Sequence, residues 1–276
     1  MDVARETLKF IAAKDGKYYF TDTDGANYRV YHLVENAVAY QKSENPAMFK
    51  DAGRAFGDFV RRLNKFPAKE LNEIISKFHD TANRLLIFKG ALQTGQAERI
   101  VYAQEEIDFV LKRQHYAPKV TELLASGKIP TRVTHNDTKL NNVLFDEVSG
   151  KAICVIDLDT IMPGSLLYDF GDAIRSGCNT GLEDEQDLAK VTFDKVLYDA
   201  FESGFLGALG AAVTETERDM LPFAAILMTY ECGMRFLTDY LLGDTYFKTK
   251  YDTHNLVRAR TQFKLVSDME KVFGIC

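Results

Sequence analysis

Tryptophan is absent from the 276 residues, and proline occurs only six times. No Pro-rich linker, low-complexity tract or internal repeat divides the chain. The four cysteines (Cys154, Cys178, Cys232, Cys276) lie too far apart for a zinc knuckle, and none forms a Cys-x-x-Cys pair. Free buried thiols in a reducing compartment are the plain expectation. Basic residues are not in excess: 34 Lys and Arg against 40 Asp and Glu leave a net charge of −6. The cations are scattered, which argues against a nucleic-acid partner. No basic segment followed by an apolar run opens the chain, so no signal peptide is expected. The most apolar stretch, residues 221–242, contains Glu231, Arg235 and Asp239, too many charges for a membrane span. These absences point to a cytoplasmic protein without a membrane partner. What remains is an ordinary globular balance, 46% hydrophobic and 27% charged, in a chain able to bury a sizeable core.

Near the N-terminus, residues 7–12, 18–21 and 28–34 are rich in aromatic and β-branched types. Lys14-Asp15-Gly16 and Asp22-Thr23-Asp24-Gly25 separate them as turn signals, so a three-stranded antiparallel meander is expected, ending at Glu35-Asn36. The period becomes helical after Asn45, an N-cap with Pro46 at the first helical position, and Met48, Ala52, Ala55, Phe56, Phe59, Val60 and Leu63 recur at three and four. Pro67 stops that helix. Further helices are expected over about 98–125, 185–204, 214–243 and 255–273, with Thr214 and Glu217 forming a capping box. The fold class is α+β, a small strand-rich piece (1–36) followed by a larger helical body (37–276) with one hairpin inside it.

The chemistry concentrates at residues 134–142, Thr-His-Asn-Asp-Thr-Lys-Leu-Asn-Asn, followed by strands at 143–145 and 152–156 and then Asp157. With a turn at 147–150, Phe145 faces Ala152 and Val143 faces Cys154. That register puts Asn142 and Asp157 at one open end of neighbouring strands, with Asp137 in the loop just before. Two carboxylates, an amide and Lys139 then converge. Phosphoryl transfer uses this set: a carboxylate to take the acceptor's proton, an amide oxygen and a carboxylate on Mg²⁺, and a cation for the phosphate charge. Residue types alone also allow a polar loop with caps and Asx-turns. Lys139 reads equally as a solvated loop lysine, and Asp159 as a cap of the following loop. Glu231, Arg235 and Asp239, four apart, fit a solvent-facing salt-bridge ladder, although the apolar helix around Arg235 suggests burial and hence a partner or ligand. Tyr246 reads as a half-buried aromatic. His32, His79, His115 and His254 show no ligand spacing and look structural.

The loop, hairpin and downstream Asp at these spacings resemble the catalytic region of the aminoglycoside phosphotransferase and choline kinase superfamily. The runs HNDTKLNNVLFDEVSGKAICVIDLDTIMPGSLLYDFGDAIR and YECGMRFLTDYLLGDTYFK are similar to the bacterial N-acetylhexosamine 1-kinases. The resemblance implies a protein-kinase-like fold, ATP and Mg²⁺ as cofactors, and a small-molecule sugar as acceptor. It implies Asp137 as base, Asn142 and Asp157 as metal ligands, Lys139 facing phosphate, and Arg235 and Tyr246 at the sugar; Asp159, by its position beside that metal site, is equally placed to touch the sugar. His135 then has a structural role, and Asp169, although it begins an Asp-Phe-Gly triplet, braces the catalytic loop. Glu35 and Asn36 fall where a kinase hinge would meet adenine. Kinases of other acceptors (choline, homoserine, methylthioribose, aminoglycosides) and a silent sugar-binding module are rivals. The acidic run Glu183-Asp184-Glu185 keeps a cationic acceptor open.

Such a kinase carries more strands and a helix ahead of its hinge. Only three strand-like runs precede Glu35 here, without a Gly-rich loop or a strand Lys. The expectation is an incomplete N-lobe in a truncated form of low or no activity, whose exposed sheet favours self-association.

Overall fold

The computed structural model describes residues 2–43 and 45–275. Cys276, one of the expected buried thiols, lies outside them. Among the other three, Cys154 and Cys178 are buried and Cys232 is partly so, and none forms a disulfide.

The three-stranded meander does not form. After a short helix α1 (Val3–Glu6), β1 (Phe20–Thr21) pairs antiparallel with β2 (Asn27–Tyr28), and an isolated bridge joins Phe10 to Tyr31. The result is one irregular hairpin, because the two turn signals are not equivalent. The Asp22 carboxylate accepts the Asp24 and Ala26 N–H groups at 2.9 Å, and Gly25 takes φ +82°, which builds the hairpin tip. The Lys14-Asp15-Gly16 turn merely kinks one arm, closed by Ala13–Lys17 pairing at 2.7 Å. Tyr18, Phe20, Tyr28 and Val30 are each more than half exposed, so this hairpin has no core of its own.

From β3 (Ala37–Ala39) the chain enters α2 (Pro46–Leu63), where the Asn45 side chain accepts the Met48 N–H at 2.9 Å as the N-cap. Helix α3 (Thr81–Thr94), capped by Asp80, is not among the helices expected from the sequence. The single helix expected over 98–125 is three: α4 (Ala97–Tyr102), α5 (Gln104–Lys112) and α6 (Lys119–Ala125). Ala117 keeps helical backbone, but Pro118 lacks an N–H and cannot donate to the turn before it, so the last break falls there.

Two small sheets follow. Strand β4 (Arg132–Thr134) pairs with β7 (Met162–Gly164), while β5 (Val143–Asp146) lies between β3 and β6 (Ala152–Val155). Phe145 faces Ala152 as expected, but Val143 faces Val155 and Leu144 faces Cys154, because a bulge inserts one residue. The Ile156 N–H donates to the Asn142 carbonyl at 2.9 Å, so Asp157 still stands one step beyond Asn142 at the open end.

Helix α7 (Leu166–Gly177) is buried over most of its length. The helix expected from 185 begins instead as α8 (Lys195–Leu209), since Asn179 bridges to Phe193 and Asp194 provides the cap. The helix expected over 214–243 divides into α9 (Glu215–Asp219) and α10 (Leu221–Leu241). Pro222 can donate no hydrogen bond to the preceding turn, so the chain resets at Met220. The Thr214–Glu217 capping box is present, and α11 (His254–Phe273) closes the body.

Helix α10 is the axis of the core, packed against α3, α7 and α11. Helix α2 lies against α8 at very close range: a Cβ at Gly53 would collide with the Phe201 carbonyl, and one at Gly204 with that of Lys50. No helix among the described residues is long and apolar enough to cross a membrane.

Candidate active site

The loop between β4 and β5 carries Asp137, Lys139 and Asn142. Its shape is imposed from below by Asp169 on α7, whose carboxylate accepts the His135 N–H at 2.9 Å and the Asn136 N–H at 2.7 Å. Burial pushes the Asp169 carboxyl up, and the two N–H groups oppose that shift. Thr138 donates from its hydroxyl to the Asp169 carbonyl at 2.5 Å and from its N–H to Asp172 at 3.2 Å. The Asp172 carboxyl lies in a desolvating site, but the Arg175 guanidinium, 2.8 Å away, wins and holds its pKa below the usual value. His135 donates from Nε2 to the Ile156 carbonyl at 2.9 Å and accepts the Asp137 N–H at Nδ1, 3.3 Å. Asn136 sits at φ +63° and Asp157 at φ +59°, a left-handed backbone that non-glycine residues adopt at a cost of about 1–3 kcal/mol and that clusters at functional sites.

Asp137 is thereby presented half-buried at the floor of a cavity of about 420 Å³. Its carboxylate is 2.9 Å from Lys139 Nζ and accepts Asn142 Nδ2 at 3.0 Å. Burial alone would lower the Lys139 pKa, but Asp137 and Asp172 more than offset it and raise the pKa. Asn142 also donates from Nδ2 to the Asp137 carbonyl at 2.8 Å, which leaves its Oδ1 as a ligand oxygen. No group of three or more His, Cys, Asp or Glu able to hold a metal occurs among the described residues. Mg²⁺, however, needs only one or two protein donors when phosphate and water complete its shell, and Asn142 with the exposed Asp157 fits that requirement.

Arg235 lines the same cavity, with its guanidinium 5.4 Å from the Phe78 ring centre and 5.6 Å from that of Phe247. The salt-bridge ladder does not exist. Glu231 is 1% exposed and binds His79 at 2.9 Å and Thr81 at 2.5 Å. Asp239 turns the other way and accepts the N–H groups of Thr245, Tyr246 and Phe247 at 2.8–2.9 Å, which brings the Phe247 ring toward the cavity. Arg235 is left with no ion pair or hydrogen bond among the described residues.

Asp159 and Tyr246 are not brought into this cavity. The Asp159 side chain is 60% exposed and paired with Arg29 of the hairpin, and Tyr246, 70% exposed, lines an adjoining hollow shared with Arg235 and Arg84. The Asn36 carbonyl already accepts both Arg5 at 3.1 Å and the Glu147 N–H at 3.0 Å, and that of Glu35 accepts Arg5 at 3.0 Å, so both carbonyls are engaged within the protein. Sequence reasoning missed Phe78, His79, Arg175, Phe247 and Arg258, all of which line the cavity. Phe78 and His79 lie in a loop without periodicity. Arg175 and Arg258 follow helical spacing like any surface residue, so no local signal marked them.

The family comparison covers this region directly. Residues 11–202 match the phosphotransferase enzyme family, APH. Among solved structures, an aminoglycoside phosphotransferase from Alicyclobacillus acidocaldarius superposes with a TM-score of 0.61 at 12% identity, covering 98% of this chain and 79% of the other. A microcompartment-associated aminopropanol kinase gives 0.57 at 16% identity over 98% and 77%. A Plasmodium vivax ethanolamine kinase gives 0.57 at 16% over 94% and 69%. At these identities the structures show a shared fold. The fold, the braced loop bearing Asp137 and the matched residues converge on one conclusion: the chain belongs to the phosphotransferase enzyme family.

Proposed function

We propose that this chain is an ATP-dependent kinase of a neutral, hydroxyl-rich acceptor, and that the acceptor is an N-acetylhexosamine phosphorylated at its anomeric hydroxyl. The carrying observation is the unpaired Arg235 in a cavity that ends on Asp137. The four carboxylates lining that cavity are each engaged within the protein: Asp137 by Lys139, Asp172 and Glu183 by Arg175, and Glu231 by His79 and Thr81. Arg235, Lys248 and Arg258 line it without a carboxylate partner among the described residues. An amino alcohol or aminoglycoside would bring an ammonium group to a wall with no spare carboxylate. A sugar brings hydroxyl and carbonyl oxygens to unengaged N–H donors, with the Phe78 and Phe247 rings beside its apolar face. The choice of N-acetylhexosamine comes from the likeness of the sequence around these residues.

In this reading Asp137 accepts the proton of the acceptor hydroxyl as that oxygen attacks the γ-phosphorus, and the bond to the β-phosphate oxygen breaks to release ADP. Asn142 Oδ1 and Asp157 would hold Mg²⁺, which would supply charge neutralisation on the phosphates. Lys139 supplies a further cation beside the transferred group. Tyr246, in the hollow that shares Arg235, and Asp159 are assigned to the rim of the sugar site, and Glu35 and Asn36 to the nucleotide side. The test is ADP release with Mg²⁺-ATP across N-acetylhexosamines, plain hexoses, choline, ethanolamine and aminoglycosides. Turnover confined to the sugars supports the reading. Turnover with the amines and none with sugars would overturn it.

A further inference from the structure

His79 lies in the loop ahead of α3, and both of its ring nitrogens meet oxygen. Nδ1 is 2.9 Å from Glu231 Oε1 and Nε2 is 3.2 Å from the Asn136 carbonyl. A carbonyl can only accept. Glu231 also acts as an acceptor: burial would raise its carboxyl pKa, but the hydrogen bond and charge of His79 and the Thr81 hydroxyl bring it below the ordinary value. Two acceptors require two N–H donors, so both bonds exist together only in the imidazolium. His135, by contrast, has one acceptor and one donor as neighbours and is complete as a neutral ring.

The carbonyl that His79 holds belongs to the peptide joining Asn136 to Asp137. The other side of that peptide, the Asp137 N–H, is held by His135. The peptide is therefore pinned at both ends, with Asn136 in a left-handed conformation that asparagine adopts more readily than most residues and that its Nδ2 bond to the Thr134 carbonyl supports. A neutral His79 that kept its bond to Glu231 would turn a lone pair toward the Asn136 oxygen, and the peptide bearing Asp137 would rotate away.

We propose that His79 acts as a cationic positioning residue: Glu231 holds it as an imidazolium, and it sets the orientation of Asp137 by donating to the Asn136 carbonyl. This rests on the reading of Asp137 as the base. Carboxylates and cations both face the ring, Arg175 among the cations. Glu231 on α10 and Asp169 and Asp172 on α7 act on it attractively, and Asp80 is its neighbour in the loop. Arg235 on α10 and Lys139 on the catalytic loop oppose it, and the Tyr168 ring, 5.4 Å away, is uncharged.

The experiment is side-chain nitrogen NMR of the histidine-labelled chain over a pH series, with kcat and acceptor KM measured over the same series. Both His79 nitrogens are expected to be protonated at neutral pH, and the Asp137 amide resonance to move with the same midpoint when His79 loses its proton. The kcat is expected to fall on that alkaline limb while KM changes little. His79→Gln should lose at least tenfold in kcat and lack the limb, and Glu231→Gln, which keeps an acceptor without charge, should shift the limb to lower pH. A single protonated ring nitrogen at neutral pH, or an Asp137 amide that ignores the His79 titration, overturns the proposal. A limb unchanged in both variants overturns it as well. The NMR readout needs no acceptor, so a chain silent toward every sugar would refute the proposed function and leave the His79 result standing or falling by itself.

Discussion

Asp137 touches a cation, an amide and the ring of its own loop's histidine within five residues of chain, and this density explains what single substitutions should do there. Asp137→Asn keeps the shape and the Asn142 contact but removes the proton acceptor, so kcat should fall roughly 10²–10⁴-fold with the thermal midpoint nearly unchanged. Steady-state kinetics beside a melting curve would check this. Arg235 has no ion pair or hydrogen bond to lose among the described residues, only its contacts with the Phe78 and Phe247 rings, so Arg235→Ala should leave folding intact and raise the acceptor KM. Loss of one charged hydrogen bond, about 1.5–3 kcal/mol, corresponds to roughly 10–150-fold. Arg235→Lys should recover little of it, because a point charge replaces a planar donor fork between two rings. A KM unchanged in both variants would remove Arg235 from the acceptor site.

At the scale of elements, the short helix α9 does more than connect. Its Glu217 caps the helix through Thr214 and forms a buried bidentate pair with Arg132 of β4, 2.7 Å on each arm. That pair fixes the strand from which the catalytic loop departs. Glu217→Ala leaves Arg132 buried without its counter-charge and should cost about 3–5 kcal/mol in denaturant unfolding. Thr214→Ala removes one cap and should cost about 1 kcal/mol. Comparable losses from the two would mean that the ion pair adds little beyond the cap. The α2–α8 contact is equally exacting, since Gly204 has backbone where any side chain would begin.

For the whole molecule, the distribution of buried charge sets the response to acid. Asp172 and Glu231 have folded-state pKa values below their unfolded ones, so each contributes stability present above the unfolded value and lost as pH falls through the folded value. Asp169 is shifted up and runs opposite: its contribution is greatest below the unfolded value and is lost as pH rises through the folded one. Asp58, Asp146 and Asp184 are held below their ordinary values as well, so the lowered carboxyls prevail and the thermal midpoint should drop as pH falls below about 4. The drop should be shallower in Glu231→Gln. The N-terminal hairpin, with two-residue strands and uncovered aromatics, should exchange its amides well before α10 and be cut first by trypsin at Lys14 or Lys17. A first cut inside the helical body would show that the hairpin is held more firmly than its contacts imply.

Much of this was written locally. The five-residue step from Asp137 to Asn142, the hairpin and Asp157 behind it, the Asn45 cap and the Thr214–Glu217 box all depend on residues a few positions apart, where backbone geometry leaves few alternatives. The helix periods likewise identified α2 and α11, but they ran α4, α5 and α6 together, joined α9 to α10 across Pro222, began α8 too early and passed over α3. Contacts across long stretches of chain were another matter. His79 meets Glu231 across 152 positions, and Arg132 meets Glu217 across 85. Spacing alone assigned Glu231, Arg235 and Asp239 to a surface ladder. Only packing of α10 on three sides turned Glu231 inward to a histidine, Asp239 toward a loop and Arg235 into an open cavity. The sequence by itself determined which groups could perform phosphoryl transfer. The tertiary structure decided which of them face one another, because burial lets a charge persist only where a distant partner satisfies it.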